Sequence, residues 1–134
     1  MRFISAAFFA LFSGLSAPQA VAQDADVRAV ISAQIEAFEI DDFEQAFTYA
    51  SPTIRQVFRT PENFGVMVQR GFPMVWRPAD VRFLELQNRD GALWQDVMVR
   101  DVAGDVFILE YEMIELETGW KINGVRIRPA AGTA

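Results

Sequence analysis

Three short polar turns constrain this chain more than any other feature. They are Asn88-Arg89-Asp90-Gly91, the stretch from Asp101 to Asp105 that contains Gly104, and Glu117-Thr118-Gly119. Turns this short join antiparallel neighbours. The segments 79–87, 93–100, 106–115 and 120–128 therefore predict a four-stranded antiparallel meander. Side chains alternate between the two faces of a strand. In the third segment Phe107, Leu109, Tyr111 and Met113 share one face, and Val106, Ile108, Glu110, Glu112 and Ile114 share the other. In the second, Leu93, Gln95, Val97 and Val99 oppose Trp94, Asp96, Met98 and Arg100. The first set of each is expected to face a core, which Trp120 and Ile122 help to seal, while Asn123-Gly124 bends the last strand.

Upstream the period changes to that of a helix. Val27, Val30, Ile31, Ile35 and Phe38 fall on one face, with Asp24 or Asp26 as the expected cap. Asp41-Asp42 restarts the pattern through Phe43, Ala46, Phe47 and Ala50. Ser51-Pro52 and Thr60-Pro61 each place a hydroxyl cap before a proline, which is tolerated at a first helical position because its missing N–H has no partner to lose there. They start helices carrying Ile54, Val57 and Phe58, then Phe64, Met67 and Val68, the last ending at Gly71 and weakened modestly by Gly65. The two prolines of "GFPMVWRP" are expected to hold that stretch out of regular structure. Helices first and a sheet second make an α+β domain, with helices packed on one face of a curved four-stranded antiparallel sheet.

The chain opens with Arg2, an apolar run from Phe3 to Leu15 and the small-residue stretch Ala20-Val21-Ala22. That pattern reads as a cleaved export signal over residues 1–22, leaving residues 23–134 as one domain in the periplasm or secreted beyond it. The run is too short for an ordinary membrane span, so stable membrane insertion is not expected after cleavage. An uncleaved anchor or a terminal helix of the fold is the competing reading.

Composition narrows the chemistry. The net charge of −6 disfavours nucleic acid and anionic membrane surfaces, whose binding draws on clustered Lys and Arg. The chain has neither histidine nor cysteine. His-dependent triads, thiolate nucleophiles and the familiar zinc sites are thereby excluded. No calcium-loop spacing, glycine-rich phosphate loop or nucleotide fingerprint is visible, so neither metal nor cofactor is expected. Without disulfides, stability has to come from a core, for which the eight of the chain's twelve phenylalanines that follow residue 22 provide the material.

The ending "GWKINGVRI" resembles the last strand of the cone-shaped, cystatin-like α+β fold of nuclear transport factor two and its SnoaL-like bacterial relatives. The blocks "FEIDDFEQAFTYASPTIRQVF", "PMVWRP" and "YEMIELETGWKINGV", in that order, resemble domain-of-unknown-function family 4864, short exported proteins of alphaproteobacteria. The resemblance implies a conical cavity between helices and sheet. It implies no particular reaction, since relatives of this fold include isomerases, cyclases, dehydratases, binding domains and oligomerisation modules. The short helices at Pro52 and Pro61 depart from the plainest form of the fold.

Several residues invite a functional reading, each beside a plainer one. Trp76 and Arg77 sit at the expected cavity mouth, where Arg77 is suited to grip a carboxylate and Trp76 to form an apolar wall; the alternative is a plug and an ion pair. Tyr111 points toward the core with a hydroxyl that needs a partner, such as Tyr49, Arg77 or Gln95. Asp96 is a candidate proton acceptor if its face turns inward. Glu110 and Glu112 lie about 7 Å apart on one face, a spacing open to paired carboxylates but explained as well by solvent. The outer face mixes aromatic, methionine and isoleucine side chains with charges, which points to a homodimer through it. The preferred expectation is a non-enzymatic dimeric domain holding a small apolar or carboxylate-bearing ligand, with Trp76, Arg77, Tyr111, Tyr49 and Gln95 as candidate ligand contacts. A cofactor-independent isomerase or hydratase using Asp96 or Tyr111 is one alternative, and a partner-binding module with a filled interior is another. The face of the second strand that turns inward separates them.

Overall fold

A computed structural model describes residues 18–129. Helices α1 (Pro18–Glu39), α2 (Phe43–Thr48), α3 (Pro52–Phe58), α4 (Pro61–Gly71) and α5 (Pro73–Trp76) precede strands β1 (Pro78–Arg89), β2 (Ala92–Asp101), β3 (Val106–Leu116) and β4 (Gly119–Pro129). The strands form one antiparallel sheet in the order β1-β2-β3-β4. This is the expected α+β architecture of helices on an open four-stranded sheet, consistent with the nuclear-transport-factor-two-like cone fold. The apolar run of the expected export signal lies outside the described residues.

The turns follow from local chemistry. Asp90 and Gly91 both have positive φ, 52° and 83°, as a two-residue hairpin turn requires to match strand twist. The Asp101 carboxylate accepts from the N–H groups of Ala103 and Asp105 and so shapes the next turn. Register shifts between Phe83 and Leu86 and between Glu112 and Met113 introduce bulges, which bend a sheet.

The caps fall mostly where the hydroxyls and acids stand. Asp42 accepts from Gln45 N–H, Ser51 from Ile54 N–H and Thr60 from Asn63 N–H. Two expectations need correction. Asp24 and Asp26 do not cap α1, which begins at Pro18 and runs through them; Asp24 instead pairs with Arg28 one turn on, at 3.0 Å. Nor do the prolines abolish helix in 72–78: Pro73 stands in the first turn of α5 and Pro78 follows its end, so they bracket one helical turn.

The α1–α2 corner is built by Asp41, in the left-handed region at φ 55°. Its N–H bonds Phe38 O, and Asp42 N–H reaches back to Ala37 O at 2.8 Å, satisfying carbonyls that the helix end leaves free. Gly65 does more than weaken α4. A Cβ there would lie 2.8 Å from the Phe43 ring, so the absent side chain is what lets α4 rest on α2's first residue.

The core lies between α1 and the inner face of the sheet. Val27, Ile31, Ile35 and Phe38 meet Val97, Val99, Leu109, Tyr111, Met113 and Ile122, all buried. Phe64 of α4 gathers a cluster of rings, with centroids 5.9 Å from Phe38, 5.3 Å from Phe47 and 5.9 Å from Phe58.

Candidate functional site

Between the short helices and the β3–β4 end of the sheet the core is not filled. A cavity of about 240 Å³ opens there. Gln34 and Phe38 of α1 contribute to its lining, with Ile54 and Phe58 of α3, Phe64, Met67 and Val68 of α4, Phe72 and Val75 beyond, and Tyr111, Ile122 and Val125 of the sheet. It is larger than the roughly 150 Å³ engineered cavity that stays dry and takes up benzene, and smaller than the roughly 300 Å³ at which drug-sized sites begin.

Two polar side chains, Tyr111 and Gln34, stand in this apolar lining, and no charged one does. Tyr111 is 1% exposed and its hydroxyl has no hydrogen-bond partner. Burial pushes its pKa well above the ordinary tyrosine value, so at neutral pH it is a phenol with a proton to donate. Gln34 is buried too, and its Nε2 donates to Ala46 O at 3.2 Å. That commitment turns the amide oxygen into the group left to accept.

The other candidates sit elsewhere. Trp76 and Arg77 do not line the cavity. Trp76 Nε1 donates to Asp41 Oδ1 at 2.8 Å, and Arg77 gives Nη2 to the same oxygen at 2.9 Å and Nη1 to Phe38 O at 2.7 Å. The Arg77 guanidinium also stacks 4.1 Å from the Trp76 ring centre. Arg77 thus fastens the end of α1, and the carboxylate grip expected of it is taken up within the chain. Tyr49 stays outside the lining as well, its hydroxyl accepting from Gln45 Nε2 and its carbonyl from Ile122 N–H.

Gln95 faces inward beside Tyr111, its register partner on β3. Its Nε2 donates to Leu84 O, Glu85 O and Asp96 O, holding the β1 bulge, and its Oε1 is buried without a partner. Asp96 is on the opposite face, so it shares no site with Tyr111. Arg89 reaches it at 3.0 Å and Arg128 at 3.4 Å, and both arginines also meet Glu110, its register partner. Glu112 shares the outer face with Glu110, away from the cavity. Trp94, counted toward a dimer surface, is 8% exposed, with the guanidinium groups of Arg126 and Arg89 4.7 Å and 5.6 Å from its ring centre.

The model of a family described as Domain of unknown function (DUF4864) matches residues 20–134. The chain belongs to the DUF4864 family. No curated protein and no solved structure gives a significant match. Among the described residues there is no cluster of three acidic, histidine or cysteine side chains suited to a metal ion, and no helix long and apolar enough to cross a membrane.

Gln34, Phe58, Met67 and Phe72 were absent from the sequence candidates. Gln34 alone carried a signal, since it stands three residues after Ile31 and four before Phe38, within the apolar stripe of α1. The others come from separate elements that only the tertiary fold brings together.

Proposed function

We propose that this domain binds one small, uncharged, mostly apolar molecule in the cavity, its single oxygen-bearing group placed to accept from the Tyr111 hydroxyl. The observation that carries this reading is the buried, unpartnered phenol of Tyr111, a residue of the cavity wall whose hydroxyl a small shift of its neighbours would uncover to a ligand; apart from Gln34 the other lining side chains are phenylalanine, methionine and aliphatic. A buried polar group left unpaired costs about 1–3 kcal/mol, and a ligand oxygen removes that cost. A carboxylate-bearing ligand is not favoured, because no basic side chain lines the space to offset its desolvation. A proton-transfer enzyme is disfavoured for a related reason: Asp96 and Tyr111 lie on opposite faces, and a phenol that resists ionisation is a poor base.

The test is titration of the 15N-labelled domain with p-cresol, indole and toluene. Amide shifts confined to Gln34, Tyr111, Val125 and their neighbours, saturating at about 1 mM or below, are expected. Unmoved spectra with all three probes overturn the reading. Native mass spectrometry of the protein from its own cells tests for a retained molecule.

The proposal includes export through residues 1–22, tested by finding Gln23 as the first residue of the mature protein. It also includes a homodimer through the outer face, where Met98, Ile108 and Ile114 are half-buried around the arginine network. Sedimentation that stays monomeric as concentration rises removes the dimer.

A further inference from the structure

Helix α3 differs from every other wall of the cavity. None of its residues is fully buried, and Val57 on its outer side is 66% exposed, yet Ile54 and Phe58 cover part of the cavity. Its start is fixed firmly to the sheet. Ser51, with no exposed surface, donates its N–H to Ile122 O at 2.8 Å and its Oγ to Asn123 Oδ1 at 2.8 Å, while the same Oγ accepts from Ile54 N–H. Ala50 bridges Ile122 alongside.

Its far end is held quite differently. Arg59 has φ 71° and ψ −43°, and Thr60 N–H bonds Phe58 O at 2.9 Å across it. A three-residue turn with this sign of φ is rare and strained for a residue with a side chain. The strain sits one residue after Phe58, whose ring meets Phe64 edge-on. Such strain persists only where the surroundings over-determine it. Here the surroundings are one ring contact, the Arg59 N–H bond to Arg55 O at 2.8 Å, the Thr60 bond and a second donor to Phe58 O from Asn63 Nδ2 at 3.0 Å.

We propose that α3 is the gate of the cavity, opening as a unit about the Ser51 anchor when the Arg59 turn relaxes, and that Ile54 and Phe58 leave with it to let the small neutral ligand pass. The gate rests on the binding reading above, because an empty interior needs no entrance. It also adds to that reading: exchange of ligand is paced by a backbone turn on α3 rather than by unfolding of the domain. Ligand in the cavity touches Ile54 and Phe58 and holds the gate shut.

Amide hydrogen exchange of the full chain, followed by NMR, tests this. The α3 amides that lie inside the helix, Arg55 to Phe58, are expected to exchange at least tenfold faster than those of Ile31 to Phe38. Arg59→Gly, which accepts positive φ without strain, stabilises the closed turn and is expected to slow α3 exchange roughly threefold to tenfold. Asn123→Ala, which frees the Ser51 anchor, is expected to speed it. Saturating p-cresol slows exchange in α3 and leaves exchange at the exposed turn 102–104 unchanged. If α3 exchanges only as fast as α1, or if Arg59→Gly and Asn123→Ala both leave it unmoved, the gate is overturned while the binding reading stands. If α3 opens and responds to both variants but p-cresol neither shifts nor slows any amide, the hinge is supported and the binding reading falls.

Discussion

Two neighbouring steps on the same pair of strands make opposite use of polar atoms. At one step Gln95 faces Tyr111 on the inner side of the sheet; at the next, Asp96 faces Glu110 on the outer side. The outer pair is the more heavily charged, yet its charge is met, since Arg89 and Arg128 each reach both carboxylates. The inner pair carries no charge and leaves two polar atoms, Gln95 Oε1 and the Tyr111 hydroxyl, buried without partners. A paired polar group is satisfied where it stands, whereas a polar atom buried without a partner is costly and calls for an explanation, which for Tyr111 the neighbouring cavity offers. The contrast sets a paired outer network against the inner side on which binding is proposed, and substitution can separate them.

Arg89→Ala should have the largest effect. It leaves two poorly exposed carboxylates facing each other with only the longer contacts to Arg128, and a cost of about 2–3 kcal/mol is expected. That is below the figure for fully buried pairs because the arginine itself is about one-third exposed. Urea unfolding reads it; a loss under about 0.5 kcal/mol would mean that the outer network is ordinary solvated charge. Gln95→Met comes next, at about 1–2 kcal/mol, since Leu84 O, Glu85 O and Asp96 O lose the donor that ties the bulge while one orphaned oxygen disappears. Loss of cavity binding by Gln95→Met, with stability unchanged, would move Gln95 from the structural side of the comparison to the binding side.

Tyr111→Phe cuts across the two roles. Removing an unpaired buried hydroxyl should raise the stability of the empty domain by about 1 kcal/mol, while binding of p-cresol weakens roughly fivefold to tenfold, and that of toluene does not. Few substitutions on an inner sheet face both stabilise and impair, so a loss of stability here would show that the hydroxyl already has a partner.

The turns and helix starts of this architecture were legible because single residues dictate them. Asp90-Gly91 supplies the positive φ values, and Ser51-Pro52 and Thr60-Pro61 supply cap and first-turn residue together. The facing of β2 and β3 was legible for a related reason: alternation leaves two choices, and the greasier one faces the helices. The site was less so. At Arg77 the sequence leaves a ligand grip and an ion pair both open, and only folding brings Asp41, 36 residues earlier, within 2.9 Å of it. Asp24 fits a cap and an i, i+4 partner equally well by spacing, and which applies depends on where the helix begins. Gly65 reads as a weak point in α4 until Phe43 is placed against it. The cavity itself is a mismatch of volumes between α3, α4 and the β4 bulge, and no local pattern encodes it.

The smallest effect should come from the Arg77–Asp41 pair. Asp41 is exposed, in contrast to Asp96, and its carboxyl is held below the ordinary aspartate value first by the Trp76 indole N–H and then by Arg77, against a small opposing effect of desolvation. A carboxyl whose folded pKa is lowered stabilises the fold above its unfolded value, about 3.9, and that contribution is lost as pH falls through the folded value. Asp41→Asn should therefore leave the midpoint of urea unfolding at pH 7 only slightly lower and flatten part of its fall below about pH 4. The variant keeps a side-chain oxygen for Trp76 Nε1 and tolerates the left-handed backbone at this corner, so its readout is the charge alone. If Asp41→Asn cost as much at pH 7 as Arg89→Ala, exposure would not be what separates the two arginine–carboxylate clusters, and the division between a face that stabilises and a cavity proposed to bind would need another physical basis.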